Sequence, residues 1–204
     1  MKKVKLIEEL KSLKDNRRKQ GQRHSIEVSL MIVIMATMSG FVGYRAIGDF
    51  TNRYREELLV YLKPKKARLP SYPTVRRILM GVDTDKFRKI FDKWMLGYLE
   101  LKDEEWISID GKAIRGTKQS KEDKKLVHLV SFFKNDSKEV ITARKTADKS
   151  NEIPLVQEML KEFPLKKLIF TMDAMHCQSE TLKIIKDSGN DYVVQVKKNQ
   201  KKII

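Results

Sequence analysis

Trp106-Ile107-Ser108-Ile109-Asp110-Gly111-Lys112 is the stretch on which the reading of this chain turns. A short, β-branched apolar run ends on a carboxylate, and a glycine follows at once. That pattern predicts a strand delivering Asp110 to its C-terminal end. The same figure returns as Leu168-Ile169-Phe170-Thr171-Met172-Asp173. Two apolar strands that each end on Asp place two carboxylates side by side if the strands are sheet neighbours. Paired carboxylates are hard oxygen ligands suited to Mg²⁺ or Mn²⁺.

Working outward, Leu126 to Phe133 and Glu139 to Arg144 are β-rich, with Lys134-Asn135-Asp136-Ser137 as the turn between them. Three consecutive antiparallel strands are expected. Ser150 then caps a helix from Asn151 to about Phe163, with Ile153, Val156, Met159 and Leu160 inward. The Asp173 strand follows. A helix from Gln178 to Asp187, closed by Gly189, leads to a last strand from Tyr192 to Val196. The order βββαβαβ, with acids ending the first and fourth strands, is the ribonuclease-H-like arrangement. In that fold the fourth strand lies beside the first.

Before residue 100 the period is 3.6. Val4, Leu6, Ile7, Leu10 and Leu13 form a loose helical pattern. Ser25 is placed to cap a helix from Ile26 to Ser39 that is apolar nearly all round, and so belongs in the middle of a helical domain. Tyr44 to Leu62 reads as one amphipathic helix. Ser71-Tyr72-Pro73-Thr74-Val75-Arg76-Arg77 starts another, with Pro73 in its first turn. The basic loop Lys63 to Pro70 precedes it, a setting that fits a helix-turn-helix reader of DNA. A last helix, capped at Asp83 or Thr84, carries the stripe Phe87, Ile90, Phe91, Trp94, Met95 and Tyr98, read as core. The expected class is α+β. An all-helical, DNA-binding domain spans 1–100, and an incomplete ribonuclease-H-like βββαβαβ domain spans 101–204.

Charge points to a polyanion partner. The 204 residues carry a net +16. Residues 1–100 hold 22 Lys and Arg against 11 Asp and Glu, a net of +11, while 101–204 hold 21 against 16, a net of +5. Cys177 is the one cysteine, so no internal disulfide forms, which suits a reducing cytosol. The apolar run Val28 to Met38 is too short to span a bilayer, and the basic start runs into Glu8 and Glu9 with no apolar signal segment. The expected location is the bacterial cytoplasm, on the nucleoid when bound to DNA, with no membrane partner.

The motifs resemble those of insertion-sequence transposases of the H-repeat-associated type, in the DDE superfamily. The matching pieces are Arg23-His24-Ser25, Gly43-Tyr44-Arg45-Ala46-Ile47, Pro70 to Arg77, Ile109 to Gly116, Lys149-Ser150-Asn151-Glu152-Ile153, Asp173-Ala174-Met175-His176-Cys177-Gln178, and Asp191-Tyr192-Val193 leading to Lys197-Lys198-Asn199-Gln200. They occur in the family's order over nearly the whole chain. The resemblance implies an enzyme of DNA transposition and recombination that cuts and joins DNA with magnesium to move its own mobile element. Its partners would be double-stranded DNA, both element ends and target, and further copies of itself assembled on that DNA.

The first two catalytic acids map to Asp110 and Asp173, both expected as metal ligands that position a water or 3′-hydroxyl for attack on a phosphate. The family's third carboxylate, a Glu beyond the last strand, has no counterpart, because Lys197–Ile204 contains no acid. A truncated or frameshifted copy, inactive alone, is therefore expected. The alternatives are a non-catalytic DNA-binding remnant or regulator of transposition, and another ribonuclease-H-like nuclease such as a junction resolvase.

DNA contacts are expected from Arg17, Arg18 and Arg23 in the basic connector, from Arg76 and Arg77, and from Lys112 and Arg115 just past Asp110. Glu152 reads as a first-turn helix acid favoured by the macrodipole rather than as a ligand. His176 follows Asp173 closely enough to help near the scissile phosphate. Adjacent His176 and Cys177 lack zinc spacing. No Walker-type or Gly-rich dinucleotide loop occurs, so no nucleotide cofactor is indicated.

Overall fold

The computed structural model describes residues 5–114, 127–146 and 151–197. Arg115, Lys149 and Ser150 lie outside them. The chain divides into two compact units, Met1–Tyr98 and Leu99–Ile204.

The first unit is helical: α1 (Leu6–Leu10), α2 (Ile26–Met38), α3 (Tyr44–Arg53), α4 (Arg55–Leu62), α5 (Tyr72–Gly81) and α6 (Thr84–Leu96). The all-round apolarity of α2 has a direct use, because the helix serves two clusters. Val28, Ile32 and Ala36 pack with Ile47, Phe50, Leu58 and Val75. Ile26 and Leu30 pack with Leu6, Leu10 and Ile78, against the Phe87, Ile90, Phe91 and Trp94 stripe of α6. The single helix expected over Tyr44 to Leu62 is broken at Tyr54, which leaves helical geometry at φ −106° and ψ 31°. Phe50 and Leu58 are buried on either side of the break, while Tyr61, which a continuous helix would place on their face, is 70% exposed. Gly48 of α3 meets Tyr72 at the start of α5, where a Cβ would stand 2.9 Å from the Tyr72 Cβ.

The second unit is a five-stranded mixed sheet with helices: β1 (Trp106–Ile114), β2 (Val127–Lys134), β3 (Val140–Thr146), α7 (Glu152–Glu162), β4 (Ile169–Met172), α8 (Ser179–Asp187) and β5 (Asp191–Val194). The strand order is β3-β2-β1-β4-β5. β1, β2 and β3 are antiparallel neighbours, while β4 runs parallel to β1 and β5 parallel to β4. This is the ribonuclease-H-like arrangement, and the class is α+β.

Alternation along each strand sorts the side chains by face. Ile107 and Ile109 are buried, as are Val130, Phe132, Phe170 and Met172. Phe132, Phe163 and Phe170 form a three-way edge-on cluster with centroids 5.6 to 5.8 Å apart, joining β2, β4 and the end of α7. The opposite face of β1 carries Trp106, Ser108, Asp110 and Lys112.

A second expectation also differs from the structure. β1 does not end at Asp110. It runs four residues further, to Ile114, because β2 supplies a partner all the way to Val127. What ends near Asp110 is the pairing with β4, whose last pair is Ser108 opposite Thr171. Among the described residues no helix is long and apolar enough to cross a membrane.

Candidate active site

β1 and β4 run parallel in the register Ile107 to Phe170 and Ser108 to Thr171. Two further residues along each strand are Asp110 and Asp173. Asp173 keeps an extended backbone, φ −74° and ψ 171°, so the alternation continues through it. The Ser108 and Thr171 hydroxyls are 2.7 Å apart, so both side chains lie on one face. With a period of two, Asp110 and Asp173 emerge on that same face. Neighbouring strands lie about 4.8 Å apart, within reach of a shared cation. Both aspartates are exposed.

Asp173 also begins a tight turn, its Oδ1 accepting the Met175 N–H at 3.0 Å. Two exposed carboxylates make a hard donor set that suits a divalent ion retaining several waters, as Mg²⁺ does. Among the described residues no group of three or more His, Cys, Asp or Glu is placed to hold a metal. Lys112, exposed, lies on the Asp110 face two residues on.

Behind the acids, Glu152 and His176 are both buried. His176 Nε2 is 3.3 Å from Glu152 Oε1. The sequence places Glu152 correctly in the first turn of a helix, but nothing local signals that its carboxyl turns inward.

The expected DNA-contacting arginines separate into distinct roles. Arg17, Arg18, Gln20, Gly21, Arg23, His24, Thr74 and Arg77 line one open cleft of about 470 Å³. The connector and α5, some fifty residues apart in sequence, thus form a single basic surface. Arg17 is largely engaged within it. It donates to the Asp15 carboxylate from Nε at 2.8 Å and Nη2 at 2.6 Å, to the Gly21 carbonyl at 3.0 Å, and to the His24 carbonyl at 2.7 Å. Its geometry is that of a staple for the connector. The hydrogen bond from Arg17 holds the Asp15 carboxyl below the usual range. Burial, with the charges of Arg17, Arg68 and Arg23, lowers the affinity of His24 for a proton. Arg18 and Arg23 are exposed. Arg77 is exposed on α5, its Nε donating to the Pro73 carbonyl at 3.2 Å. Arg76 is exposed but lies outside the cleft lining.

Residues 101–204 match the family described as "Transposase DDE domain", and residues 7–95 match the one described as "DDE_Tnp_1-associated". "Putative transposase YncI" of Escherichia coli O157:H7 is 35% identical over 97% of this chain and 50% of its own length. "H repeat-associated putative transposase YbfD" of Escherichia coli (strain K12) is 33% identical over 96% of this chain and 77% of its own. The chain thus spans about half the length of the first and about three quarters of the second. A solved piggyBac transposase synaptic complex with hairpin DNA is similar at a TM-score of 0.45 and 14% identity, over 93% of this chain and 46% of that one.

Proposed function

The chain belongs to the DDE transposase family, and from that premise we propose that it takes part in the DNA cleavage and strand transfer that move an insertion sequence. Asp110 and Asp173 are the acids of that chemistry. The observation that carries the reading is that each follows, two residues on, the last pair of two adjacent parallel strands, Ser108 opposite Thr171.

Asp110 and Asp173 would hold a divalent ion, Mg²⁺ or Mn²⁺, which when bound polarises the scissile phosphate and offsets its growing charge. The protein's own share is orientation. The sheet fixes both carboxylates before DNA arrives, so little reorganisation is left for the reaction itself. Lys112, on the same face, offsets the mutual repulsion of the acids or meets a phosphate of the bound strand. Arg18, Arg23 and Arg77 grip the DNA backbone through the basic cleft, while Arg17 holds the connector in shape. Other copies of the chain on the same DNA complete the partner set.

A second reading is a DNA-binding form that regulates without cutting. The observation favouring it is the basic cleft lined by Arg17, Arg18, Arg23 and Arg77, which would hold DNA without any cutting chemistry. Family membership sets aside the junction-resolvase alternative. A plasmid-nicking assay separates the two readings. Cleavage by the 204-residue chain is expected to be slow and metal-dependent, and to fall to background in Asp110→Asn and in Asp173→Asn. Nicking that persists in both variants overturns the assignment of the acids. DNA binding without any metal-dependent nicking selects the regulatory reading.

A further inference from the structure

Glu152 opens α7 and is 3% exposed, and His176 closes the turn after Asp173 and is 2% exposed. Burying such a pair costs free energy that an apolar pair would not. Their contact is one hydrogen bond, His176 Nε2 to Glu152 Oε1 at 3.3 Å. His176 Nδ1 is buried and, among the described residues, finds no hydrogen-bond partner. A proton there would be an orphaned buried donor, which is unfavourable. The favoured tautomer therefore carries its proton on Nε2 and donates it to Glu152.

The Glu152 carboxyl also lies directly on Gly111. A Cβ added at 111 would overlap both Glu152 oxygens and Cδ. Gly111 is the residue next to Asp110, and alternation directs its missing side chain to the face opposite the Asp110 carboxylate. Glu152 thus presses on β1 from the side away from the acids. His176, three residues after Asp173, links the same carboxyl to the turn that Asp173 begins. One buried hydrogen bond thus ties the turn that Asp173 begins to a carboxyl packed against the strand that bears Asp110.

We propose that Glu152 and His176 are positioning residues that set the separation of Asp110 and Asp173, and through it their affinity for the divalent ion. The inference rests on the reading of those two aspartates as the metal-holding pair. Neither residue touches the ion, and Gly111 is required because only a glycine leaves room for the Glu152 carboxyl.

Mn²⁺ titration of the 204-residue chain, followed by the electron paramagnetic resonance of free Mn²⁺, tests this without any cleavage. Glu152→Ala and His176→Asn, which break the bond, are expected to weaken Mn²⁺ binding about 10- to 100-fold, the range for residues that orient metal ligands. Glu152→Gln keeps an acceptor oxygen, and His176→Gln keeps a donor near the Nε2 position, so both should bind as the parent does. Gly111→Ala should weaken binding like Glu152→Ala, and the two changes together should be no worse than either alone, because removing the carboxyl makes room for the methyl. Should Glu152→Ala fail to fold, His176→Asn carries the same expectation with a smaller change in volume. Parent-like binding in folded Glu152→Ala and His176→Asn overturns the proposal. So does a loss in Glu152→Gln equal to that in Glu152→Ala, which would make the carboxylate charge the active feature. If Asp110→Asn leaves Mn²⁺ binding intact, the acid-pair reading itself fails, an outcome distinct from binding that needs Asp110 but ignores Glu152.

Discussion

Ser108 and Thr171 face one another across β1 and β4 with their hydroxyls 2.7 Å apart, and each stands two residues before an aspartate. The pair reports the register that brings Asp110 and Asp173 to one face. Ser108 also donates to Asn135 Oδ1, so Thr171 supplies the proton between the hydroxyls.

Thr171→Val keeps the side-chain shape and removes that donor. A loss of about 1 kcal/mol in urea unfolding is expected, the net value of one hydrogen bond. No change would mean that the hydroxyl pair does not help to hold the register.

Gly48→Ala forces a methyl against Tyr72, with 2.9 Å between the two Cβ atoms. Neither backbone has a flexible end to move, so α3 and α5 must separate. Overpacking of this kind costs roughly 1–3 kcal/mol, read from a lower urea midpoint. DNA affinity should fall as well, because Arg77 rides on α5. An unchanged midpoint would show that the two helices pack more loosely than their geometry implies.

The Asp15–Arg17 pair predicts acid sensitivity in the helical unit. The Asp15 pKa is lowered in the folded state, chiefly by the hydrogen bond from Arg17. Its contribution is therefore complete above the unfolded carboxylate pKa, about 3.9, and is lost as pH falls below that value through the folded one. Asp15→Asn should lower the melting temperature at neutral pH and flatten its decline below about pH 4. An equal decline in both proteins would remove Asp15 as a cause.

DNA binding should distinguish the arginines. Arg18→Ala, Arg23→Ala and Arg77→Ala are expected to weaken binding with little change in melting temperature. For each phosphate that a variant leaves unneutralised, the slope of log K against log salt should shrink by about 0.9. Arg17→Ala should lower the melting temperature as well, because four hydrogen bonds leave with it. Arg76→Ala, outside the cleft, should matter less than Arg77→Ala. Equal effects at 76 and 77 would move the DNA-binding surface from the cleft to the open face of α5.

Phe170→Ala removes the ring that joins two others beneath the acids. A destabilisation of about 3–5 kcal/mol is expected for a fully buried phenylalanine. A much smaller loss would mean that Phe132 and Phe163 collapse into the space.

Much of the fold was legible from neighbours along the chain. The 3.6 period before residue 100, the strand pattern after it, and an acid at the end of two apolar runs are all local signals, and their order implied that the strands leading to Asp110 and Asp173 would be neighbours. The local signal also explains two errors. The glycine after Asp110 reads as a strand end, whereas β2 keeps that segment paired to Ile114. The apolar spacing from Tyr44 to Leu62 reads as one helix, whereas the backbone leaves helical geometry at Tyr54. What only the tertiary structure decided is which polar groups meet once buried. Arg17 looks like any exposed arginine until Asp15 and two carbonyls close around it. Glu152 looks like a helix-dipole acid until His176, 24 residues away, and Gly111 surround its carboxyl. A residue's periodicity is set by its own few neighbours, but the partner of a buried hydrogen-bonding group is set by chain closure over distances that no local pattern records.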